Sequence, residues 1–518
     1  MRRKQPLASR SPATHAIDYG TATVGLVVLG ISIWISVARN LDFPWTSIRL
    51  APAFALAHHY PLFSLPDKPP WVMVGYGPLY PVAYLPSVLA REPTAAVAAA
   101  TVLAHFYILA PVALLCSLFG KERARESAER GVHWLLTFVL FALVTHLAPS
   151  LTYVTAGVHA DAPAFGLFLL ACYAVLRAHG VDSNAQARWL LAAGVAAGLG
   201  AACKINFAAG IVVLLVWALR FFGMKRGALF LLAAVLTALA IYGWAAMRDG
   251  FATVALNLRL PGKMPWFKFT TMELSSLNGT TQEFIEKVHT FLTFGRDYLT
   301  TYGVVALAVV VIGAPLRKEG QKISGSVRFV WFFLFLAVLL LPASIASISK
   351  YGGDINSRAL VSLPLALAAI FALMAAQPRS RSATVATYAA LAAAIMMVAL
   401  PCKDGLQKVW PKNPPALLEA YAVVSSDPGG WYFPFDPLAH FLAEGKFRPS
   451  IDVVYCYAQS GFPVNEEAFR SVMPETLRYI AVPPFVAGWG GSEIRRLLPE
   501  YTKPAPELNF PKHRVYGR

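Results

Sequence analysis

The sequence predicts a polytopic α-helical membrane protein with about 11 transmembrane helices and a small C-terminal extracytoplasmic α/β domain. Three observations predict this fold class. Of the 518 residues, 57% are hydrophobic and only 14% are charged, whereas a soluble domain carries about 25% charged residues. Eleven stretches that we interpret as membrane segments contain no Asp, Glu, Lys or Arg. After residue 401 the apolar runs shorten, and strand-like segments alternate with helix starts.

The eleven uncharged runs are the predicted membrane segments. Most of them reach the roughly 20 residues that cross a hydrocarbon core of about 30 Å. The first run is long, lacks a small-residue cleavage site and is followed by ten others, so it is interpreted as a helix and not as a cleaved signal peptide. The runs are 19–38, 93–120, 131–160, 162–176, 189–203, 205–219, 227–247, 298–316, 329–349, 359–378 and 382–402.

The net charge of +17 is interpreted as a topology signal. Lysine and arginine residues concentrate at the N-terminus and in the short connectors between runs, which places these segments in the cytoplasm. We therefore expect a bacterial inner membrane protein with a cytoplasmic N-terminus and no nucleic-acid partner. The predicted division is a transmembrane domain at 1–401, with outer loops 39–92 and 248–297, and an outer domain at 402–518.

Lys204 separates two uncharged runs of 15 residues each, 189–203 and 205–219. A helix of that length is about 22 Å long and does not cross the hydrocarbon core. Because both ends of this segment are basic, we expect a hairpin that returns to the cytoplasm with Lys204 at its apex. Lys204 then either faces a polar cavity or extends to the interface.

The outer loops contain two segments of interest. Residues 45–58 predict an amphipathic helix along the membrane surface, capped by Thr46. Segment 248–297 is a candidate lid. Its basic residues either bind anionic lipid head groups or simply follow the membrane surface; they are Arg248, Arg259, Lys263 and Lys268.

The C-terminal segment predicts an alternating α/β pattern. Helix starts are expected at Asp436-Pro437, at Asn465 and at Ser492. The predicted strands are 421–426, 452–457, 478–482 and 513–516.

The cysteines give little information. Cys402 and Cys456 both fall on the outer side, where a disulfide is chemically permitted, but nothing in the sequence brings them together. No CxxC or His–x–x–x–His pattern is present, so no zinc site is indicated.

Two outer carboxylates occur at predicted helix mouths. Asp42 follows the first run, and Asp161 precedes the short run 162–176. Such a group can be a general base, a metal ligand or a helix cap, and Asp161 followed by Ala-Pro-Ala also fits a helix N-terminus. His159 is either a proton carrier or a ligand, or it is an ordinary surface or hydrogen-bonded histidine.

The segment 349–358 is compact and polar. It carries Lys350, Asn356 and Arg358 around the pair Gly352-Gly353. Lysine and arginine donors on a flexible turn suit a phosphate group, although an ordinary charged turn has the same composition.

The layout resembles the GT-C superfamily of membrane glycosyltransferases, which includes the bacterial lipid A aminoarabinose transferases and the protein O-mannosyltransferases. The resemblance covers roughly residues 17–401. Asp42 is followed by Phe43, so the adjacent Asp-Glu pair of the mannosyltransferases is missing. The matching features are Asp42 after the first helix, the interfacial helix, the stretch Tyr-Gly-Pro-Leu-Tyr-Pro at 76–81, Asp161, the hairpin with Lys204, the Lys350–Asn356 loop and the outer C-terminal domain.

The resemblance implies an enzyme that transfers a sugar from a polyprenyl-phosphate donor to a lipid, glycan or protein acceptor on the outer side of the membrane. Asp42 is the first candidate for the general base, and Asp161 is a second base or a residue that orients substrate. Replacement of Asp42 by Asn is expected to abolish transfer. The implied ligands of the donor phosphate are Lys350, Arg358, Lys204 and Arg49, and the implied substrate-binding residues are Tyr76, Tyr80, His159, Asp354 and Asn356. A divalent cation, Mg²⁺ or Mn²⁺, could share the work but is not required.

Two other classes stay open at this stage. A transporter or flippase typically shows inverted repeats, and we find none relating the two halves of the chain. An envelope polysaccharide ligase or polymerase also has large outer loops, but would favour arginine-rich loops over a carboxylate base.

Overall fold

The computed structural model describes residues 12–124, 133–269, 278–313, 325–350, 352–376, 381–409, 414–484, 491–508 and 510–518. The N-terminal three-quarters of this chain is helical. Its helices are α1 Pro12–Asp42, α2 Pro44–Ala57, α3 Tyr80–Ala83, α4 Pro93–Ala124, α5 His133–Val144, α6 Pro149–Ala156, α7 Asp161–Arg177, α8 Ser183–Cys203, α9 Ala208–Phe222, α10 Met224–Asp249, α11 Phe251–Lys263, α12 Gly279–Gly313, α13 Gly325–Ile348, α14 Ala359–Ala376 and α15 Arg381–Val409.

Eight helices of the described segments are long and apolar enough to cross a membrane. The most enclosed is α14, of whose apolar window 78% is buried, and the most peripheral is α12, with 11%. On α10, Leu232 and Leu239 are 57% and 62% exposed, which a soluble surface would rarely tolerate in such a contiguous band. The chain is therefore a polytopic membrane protein, while the predicted number of eleven spans stays a prediction.

Run 131–160 does not form one straight helix. It divides into α5 and α6, whose axes differ by 101°. Pro149 opens α6, and a proline at that position cannot continue the hydrogen-bond ladder of a preceding helix. The segment after α6 contacts the first outer loop, where the Tyr84 hydroxyl donates to the His159 carbonyl at 2.9 Å.

The chain breaks at Lys204 as predicted, but Ile205–Phe222 is among the eight helices long enough to cross a membrane, so the return of this segment to the cytoplasm stays a prediction. Helix α8 ends at Cys203, a short 3₁₀ turn occupies Ile205–Phe207, and α9 begins at Ala208. Lys204 itself has an extended backbone at φ −153° and ψ 119°. The break places a lysine side chain where two helices end.

The helix predicted for the first outer loop is present as α2, but it does not lie free on a surface. Phe43 is its N-cap residue, without a side-chain bond, and Pro44 takes the first helical position. The expected cap Thr46 is instead buried inside the helix. Residues on all sides of α2 are buried because the C-terminal helix α17, Pro437–Glu444, packs against it.

The C-terminal region combines small helices with a four-stranded sheet. Its elements are α16 Ala416–Ser426, β1 Trp431–Tyr432, α17 Pro437–Glu444, α18 Ile451–Gln459, α19 Glu466–Ser471, β2 Tyr479–Val482, α20 Gly491–Leu497, β3 Lys503–Pro504 and β4 Arg514–Gly517. Two predicted strands are helical instead: 421–426 lies in α16 and 452–457 lies in α18, whereas the segments near 478–482 and 513–516 do form strands. The sheet order is β1-β2-β4-β3, and only the β1–β2 pair is parallel.

Local sequence explains the helix at 451–459. The Ser450 side chain accepts a hydrogen bond from the Asp452 backbone N–H, which caps the helix start. Val453, Val454 and Tyr457 then fall on one buried face. Tertiary packing of that face outweighs the strand preference of the β-branched pair.

The C-terminal region shares an apolar core with the outer loops. This apolar core joins three elements. It contains Tyr432, Phe469 and Leu497 of the C-terminal region, Trp71 of the first outer loop and Leu260 of α11. Helix α15 continues across the predicted boundary at 401/402 and ends at Val409. The boundary of the predicted domains therefore stays a prediction.

Cys402 and Cys456 are both free thiols in the structure. Cys402 donates to the Val398 carbonyl within α15, and Cys456 lies on α18 beside Asp452. The basic connectors at 2–10, 125–130, 317–322 and 379 lie outside the described residues.

Candidate active site

One cavity of about 550 Å³ collects most of the predicted site residues. It lies where α13 ends, α14 begins and the α8–α9 hairpin breaks, and the C-terminal helix α18 forms one of its walls. Predicted residues that line it are Arg49, Tyr76, His159, Lys204, Lys350, Asp354 and Asn356.

Asp161 binds the residues that converge on this cavity. Its Oδ1 accepts a hydrogen bond from Lys204 Nζ at 2.7 Å, and its Oδ2 accepts one from Asn356 Nδ2 at 2.6 Å. His159 Nδ1 lies 2.5 Å from the same Oδ2. The expectation that Asp161 caps its helix is wrong, because α7 has no side-chain cap bond and Ala160 is the N-cap residue. The carboxylate connects three separate chain segments.

The stretch at 76–81 fixes the position of Lys204. The Gly77 N–H donates to the Cys203 carbonyl at 2.9 Å, and the Leu79 N–H donates to the Ala202 carbonyl at 3.1 Å. These are carbonyl groups of the last turn of α8, which have no partner within the helix. A Cβ on Gly77 would lie 2.0 Å from the Ala202 oxygen, so this close approach requires glycine.

Tyr76 is held from two sides. The Asn257 side chain on α11 accepts from the Gly75 N–H at 2.8 Å and donates to the Tyr76 carbonyl at 3.2 Å. The Tyr80 ring lies behind Tyr76, with centroids 5.5 Å apart, and is buried outside the cavity lining. Tyr80 therefore supports Tyr76 and does not face the cavity.

His159 connects Asp161 to the cavity surface. Its Nδ1 is beside Asp161, and its Nε2 is 3.2 Å from the Tyr76 hydroxyl. We assign the proton to Nδ1 because the carboxylate accepts it there, which leaves Nε2 to accept from Tyr76. Burial lowers the pKa of His159, and Asp161 beside it acts in the opposite direction without reversing the shift. A neutral imidazole with an accepting Nε2 therefore faces the cavity.

Arg49 forms an ion pair that the sequence did not indicate. Its Nη1 donates to Asp452 Oδ2 at 2.6 Å, which joins α2 to the C-terminal helix α18. The guanidinium lies 4.6 Å from the centroid of Tyr76 and 5.4 Å from that of Trp45. Burial works against the charge of Arg49, but Asp452 and the neighbouring tyrosines outweigh it and raise its pKa.

Lys350 has a different environment from Lys204 and Arg49, which both pair with carboxylates. Its Nζ donates to the Pro261 carbonyl in the last turn of α11 at 3.0 Å. Within the described segments no carboxylate lies within ion-pair distance of it. Burial lowers the pKa of Lys350, and the nearby Lys287 lowers it further. Lys350 is thus a cation bound to a helix C-terminus and not to an acidic side chain.

Four predicted residues lie outside the cavity lining: Asp161 and Tyr80, described above, and Asp42 and Arg358. Asp42, at the end of α1, accepts from Lys512 Nζ at 2.9 Å and is 45% exposed. Arg358 faces Asp297 of α12 at 3.7 Å. Because the turn Ile355–Arg358 is a 3₁₀ helix, Asn356 and Arg358 point in different directions. The role of Asp42 as general base stays a prediction.

Asp354 lines the cavity and is exposed, and its Oδ1 accepts from the Ile355 N–H at 2.6 Å, which caps that same turn. Gly352 has φ 78°, the left-handed conformation expected of the glycine pair.

Several lining residues were missed by sequence reasoning. Trp45, Tyr153, Asn206 and Ser347 belong to helical segments that carry no motif, and Asp452, Tyr455 and Cys456 lie on α18, where a strand was expected. The capping residue Ser450 ahead of Asp452 is the one signal that could have indicated a helix there.

The cavity residues do not fit a divalent cation. Asp161 and Asp452 each accept from a cationic side chain. In the described part of the chain no group of three His, Cys, Asp or Glu could hold a metal ion. The participation of Mg²⁺ or Mn²⁺ stays a prediction.

Fold and cavity together define a polytopic α-helical membrane protein with a charged, aromatic-lined cavity where its helices end. No family profile matches the sequence, and no curated protein is significantly similar to it.

Three similar structures are ArnT from Cupriavidus metallidurans bound to undecaprenyl phosphate, the archaeal oligosaccharyltransferase AglB from Archaeoglobus fulgidus in complex with an inhibitory peptide and a dolichol-phosphate, and the arabinofuranosyltransferase AftD from Mycobacteria. ArnT is 11% identical, with a TM-score of 0.43 and 98% of both chains covered. AglB is 14% identical, with a TM-score of 0.41 and 94% and 74% covered. AftD is 14% identical, with a TM-score of 0.46, and 99% of this chain matches 40% of that one.

At these identities and TM-scores the resemblance to the GT-C superfamily stays a prediction. With TM-scores below 0.5, these similarities assign neither donor nor acceptor to this chain.

Proposed function

We propose that this chain is a membrane glycosyltransferase that takes a sugar from a polyprenyl-phosphate donor and transfers it to an acceptor hydroxyl on the outer side of a bacterial inner membrane. The observation that carries the proposal is the cavity itself. Its volume is about 550 Å³, and it is lined by the cation Lys350, by the neutral imidazole of His159, which is bonded to the Asp161 carboxylate, and by several aromatic side chains.

Lys350 is the proposed primary ligand of the donor phosphate. Lys204 and Arg49 are already neutralised by Asp161 and Asp452, so the charge they offer an anion is reduced. Lys350 is bound to a backbone carbonyl and not to a carboxylate, so its charge is not neutralised. In a cavity of low dielectric its charge stabilises the leaving phosphate more strongly than it would in water.

His159, oriented by Asp161, is the proposed general base. Asp161 itself accepts hydrogen bonds from three side chains, which makes it a poor proton acceptor. His159 lines the cavity, and the lone pair on its Nε2, which accepts from the Tyr76 hydroxyl, would accept the proton once an acceptor hydroxyl takes the place of Tyr76. Asp161 would hold the tautomer and stabilise the imidazolium that forms, as the aspartate of a Ser-His-Asp triad does. Asp42 remains the competing assignment.

The proposed reaction is a displacement at the anomeric carbon. The acceptor O–H gives its proton to His159 Nε2 while its oxygen forms a bond to that carbon. The bond between the anomeric carbon and the phosphate oxygen breaks, and polyprenyl phosphate leaves with the electron pair beside Lys350. The acceptor, whether lipid, glycan or protein, is not specified by this chemistry.

The test is to incubate the purified protein in lipid with polyprenyl-phosphate sugars and to measure release of free polyprenyl phosphate. We expect release that increases with added acceptor and that Lys350→Met reduces. Movement of intact donor across the bilayer without release would instead indicate the flippase, the transporter-class alternative. Formation of long polymer from lipid-linked oligosaccharides would indicate the ligase or polymerase.

A further inference from the structure

Helices α2 and α18 meet at one side of the cavity through the pair Arg49 and Asp452. The nitrogen–oxygen distance is 2.6 Å, and the two side chains are 11% and 7% exposed. Both residues line the cavity. The C-terminal region therefore contributes a charged group to the site instead of only covering it.

Both partners retain unused hydrogen-bonding capacity. Arg49 Nε is buried and has no partner among the described residues. Asp452 Oδ1 receives a long contact from the Cys456 thiol, at 3.9 Å. Both residues line the cavity, and a donor and an acceptor on neighbouring side chains suit two neighbouring hydroxyl groups of a ligand.

Aromatic side chains surround this pair. Trp45, Tyr76 and Tyr455 all line the cavity beside it. A sugar ring has apolar C–H groups on its faces and hydroxyls around its edge, so it fits a site with aromatic faces and a few fixed polar groups. Lys350 lies in the 349–358 segment and is bound to α11, whereas Asp452 belongs to α18. The two residues therefore reach the cavity from different elements.

We infer that Asp452, with Arg49, Trp45 and Tyr455, forms the subsite that binds a sugar ring through neighbouring hydroxyls, an inference that rests on the proposed function. The phosphate is bound separately, at Lys350. The sugar is that of the donor or that of a glycan acceptor, and the experiment distinguishes the two.

The experiment compares equilibrium binding of a polyprenyl-phosphate sugar with binding of sugar-free polyprenyl phosphate. Asp452→Asn is expected to weaken binding of the sugar-loaded lipid by about 10- to 100-fold, and to leave binding of the sugar-free lipid unchanged or tighter, because Arg49 is released. Asp427→Asn, which removes a half-buried carboxylate that pairs with Arg478 outside the cavity lining, is the matched control.

Tyr455→Leu provides a second variant that keeps the ion pair and removes one aromatic face. We again expect weaker binding of the sugar-loaded lipid and unchanged binding of the sugar-free lipid. If both variants bind both lipids normally but raise the KM for a glycan acceptor, the subsite holds the acceptor sugar. Equal losses for both lipids, or no change in binding and KM, would overturn the inference. A wild-type protein that binds neither lipid would contradict the proposed function instead.

Discussion

Lys204 Nζ donates a 2.7 Å hydrogen bond to Asp161 Oδ1, although the two residues are 43 positions apart. The bond joins the break between α8 and α9 to the first turn of α7. It forms because the carbonyl groups that end α8 are bound by the loop at 76–81, which holds Lys204 in an extended conformation. The pair explains how a buried carboxylate and a half-buried lysine are accommodated in an otherwise apolar bundle.

Gly77 should be intolerant of even a methyl group. In Gly77→Ala the new Cβ would meet the Ala202 oxygen at 2.0 Å, so the loop must move away from the end of α8 and Lys204 loses its position. Misplacement of this kind can lower a rate by about 100-fold. We expect normal membrane insertion and a large loss of sugar transfer, measured by release of polyprenyl phosphate.

Gly75→Ala is a less informative control because Gly75 has φ 72°, where a side chain is strained in any case. Gly262→Ala is a better control, since no atom lies within 4 Å of the position that its new Cβ would occupy. If Gly77→Ala is as active as Gly262→Ala, the loop does not position Lys204.

Lys350→Met should weaken binding of polyprenyl phosphate. The substitution keeps the length of the side chain and removes its charge, and a hydrogen bond to a charged group contributes about 1.5–3 kcal/mol. We expect a Kd about 10- to 100-fold higher. Lys446→Met, at an exposed position outside the cavity lining, should bind as wild type. Unchanged binding by Lys350→Met would remove Lys350 as the phosphate ligand.

The pH profile of transfer should report His159. Because burial lowers the pKa of this imidazole from its ordinary 6.5, the neutral form persists through neutral pH. The rate should be constant there and should fall only as the pH drops below 6.5. A rate that rises steadily between pH 6.5 and 8 would show that another group supplies the base.

His513 should make the C-terminal region sensitive to alkaline pH. Burial lowers its pKa, but hydrogen bonds to Asp436 and Glu419 outweigh this effect and raise the pKa to about 9. Since the folded pKa is above the ordinary 6.5, this stabilisation is fully present below pH 6.5 and is lost as pH rises through 9. It is worth on the order of 3 kcal/mol.

We expect thermal unfolding of the wild type to shift to lower temperature between pH 6.5 and 9, and His513→Asn to remove this dependence. His59→Asn, at an exposed position whose φ of 62° suits asparagine, serves as the control. A dependence on pH that survives in His513→Asn would contradict the assignment.

The sequence predicts membrane elements better than it predicts the site. The break at Lys204 was predictable because a single charge divides two apolar runs that are each too short to span. The bend between α5 and α6 was not, since run 131–160 carries no charge to mark it. The approach of Asn356 to Asp161 depends on how the turn Ile355–Arg358 packs against α6, which the residue pattern of one chain does not encode.

Asp452 is the clearest example of a site residue that could not be predicted from the sequence. Its segment, Asp-Val-Val-Tyr-Cys-Tyr, has the β-branched and aromatic composition of a strand. It folds as a helix because Ser450 caps it and because one face packs against the outer loops. Strand propensity therefore predicted the wrong element there, and Asp452 was not recognised as a cavity residue.

The most direct test of the account is single-turnover sugar transfer by the wild type, His159→Asn and Asp42→Asn, each reconstituted with the same polyprenyl-phosphate sugar. The asparagine at 159 can still donate to Asp161 but cannot take a proton at the Nε2 position. We predict that the wild type and Asp42→Asn release polyprenyl phosphate at similar rates and that His159→Asn is slower by about 100-fold or more. An inactive Asp42→Asn beside a nearly normal His159→Asn would instead make Asp42 the base and contradict the mechanism, and no release by the wild type would contradict the proposed function.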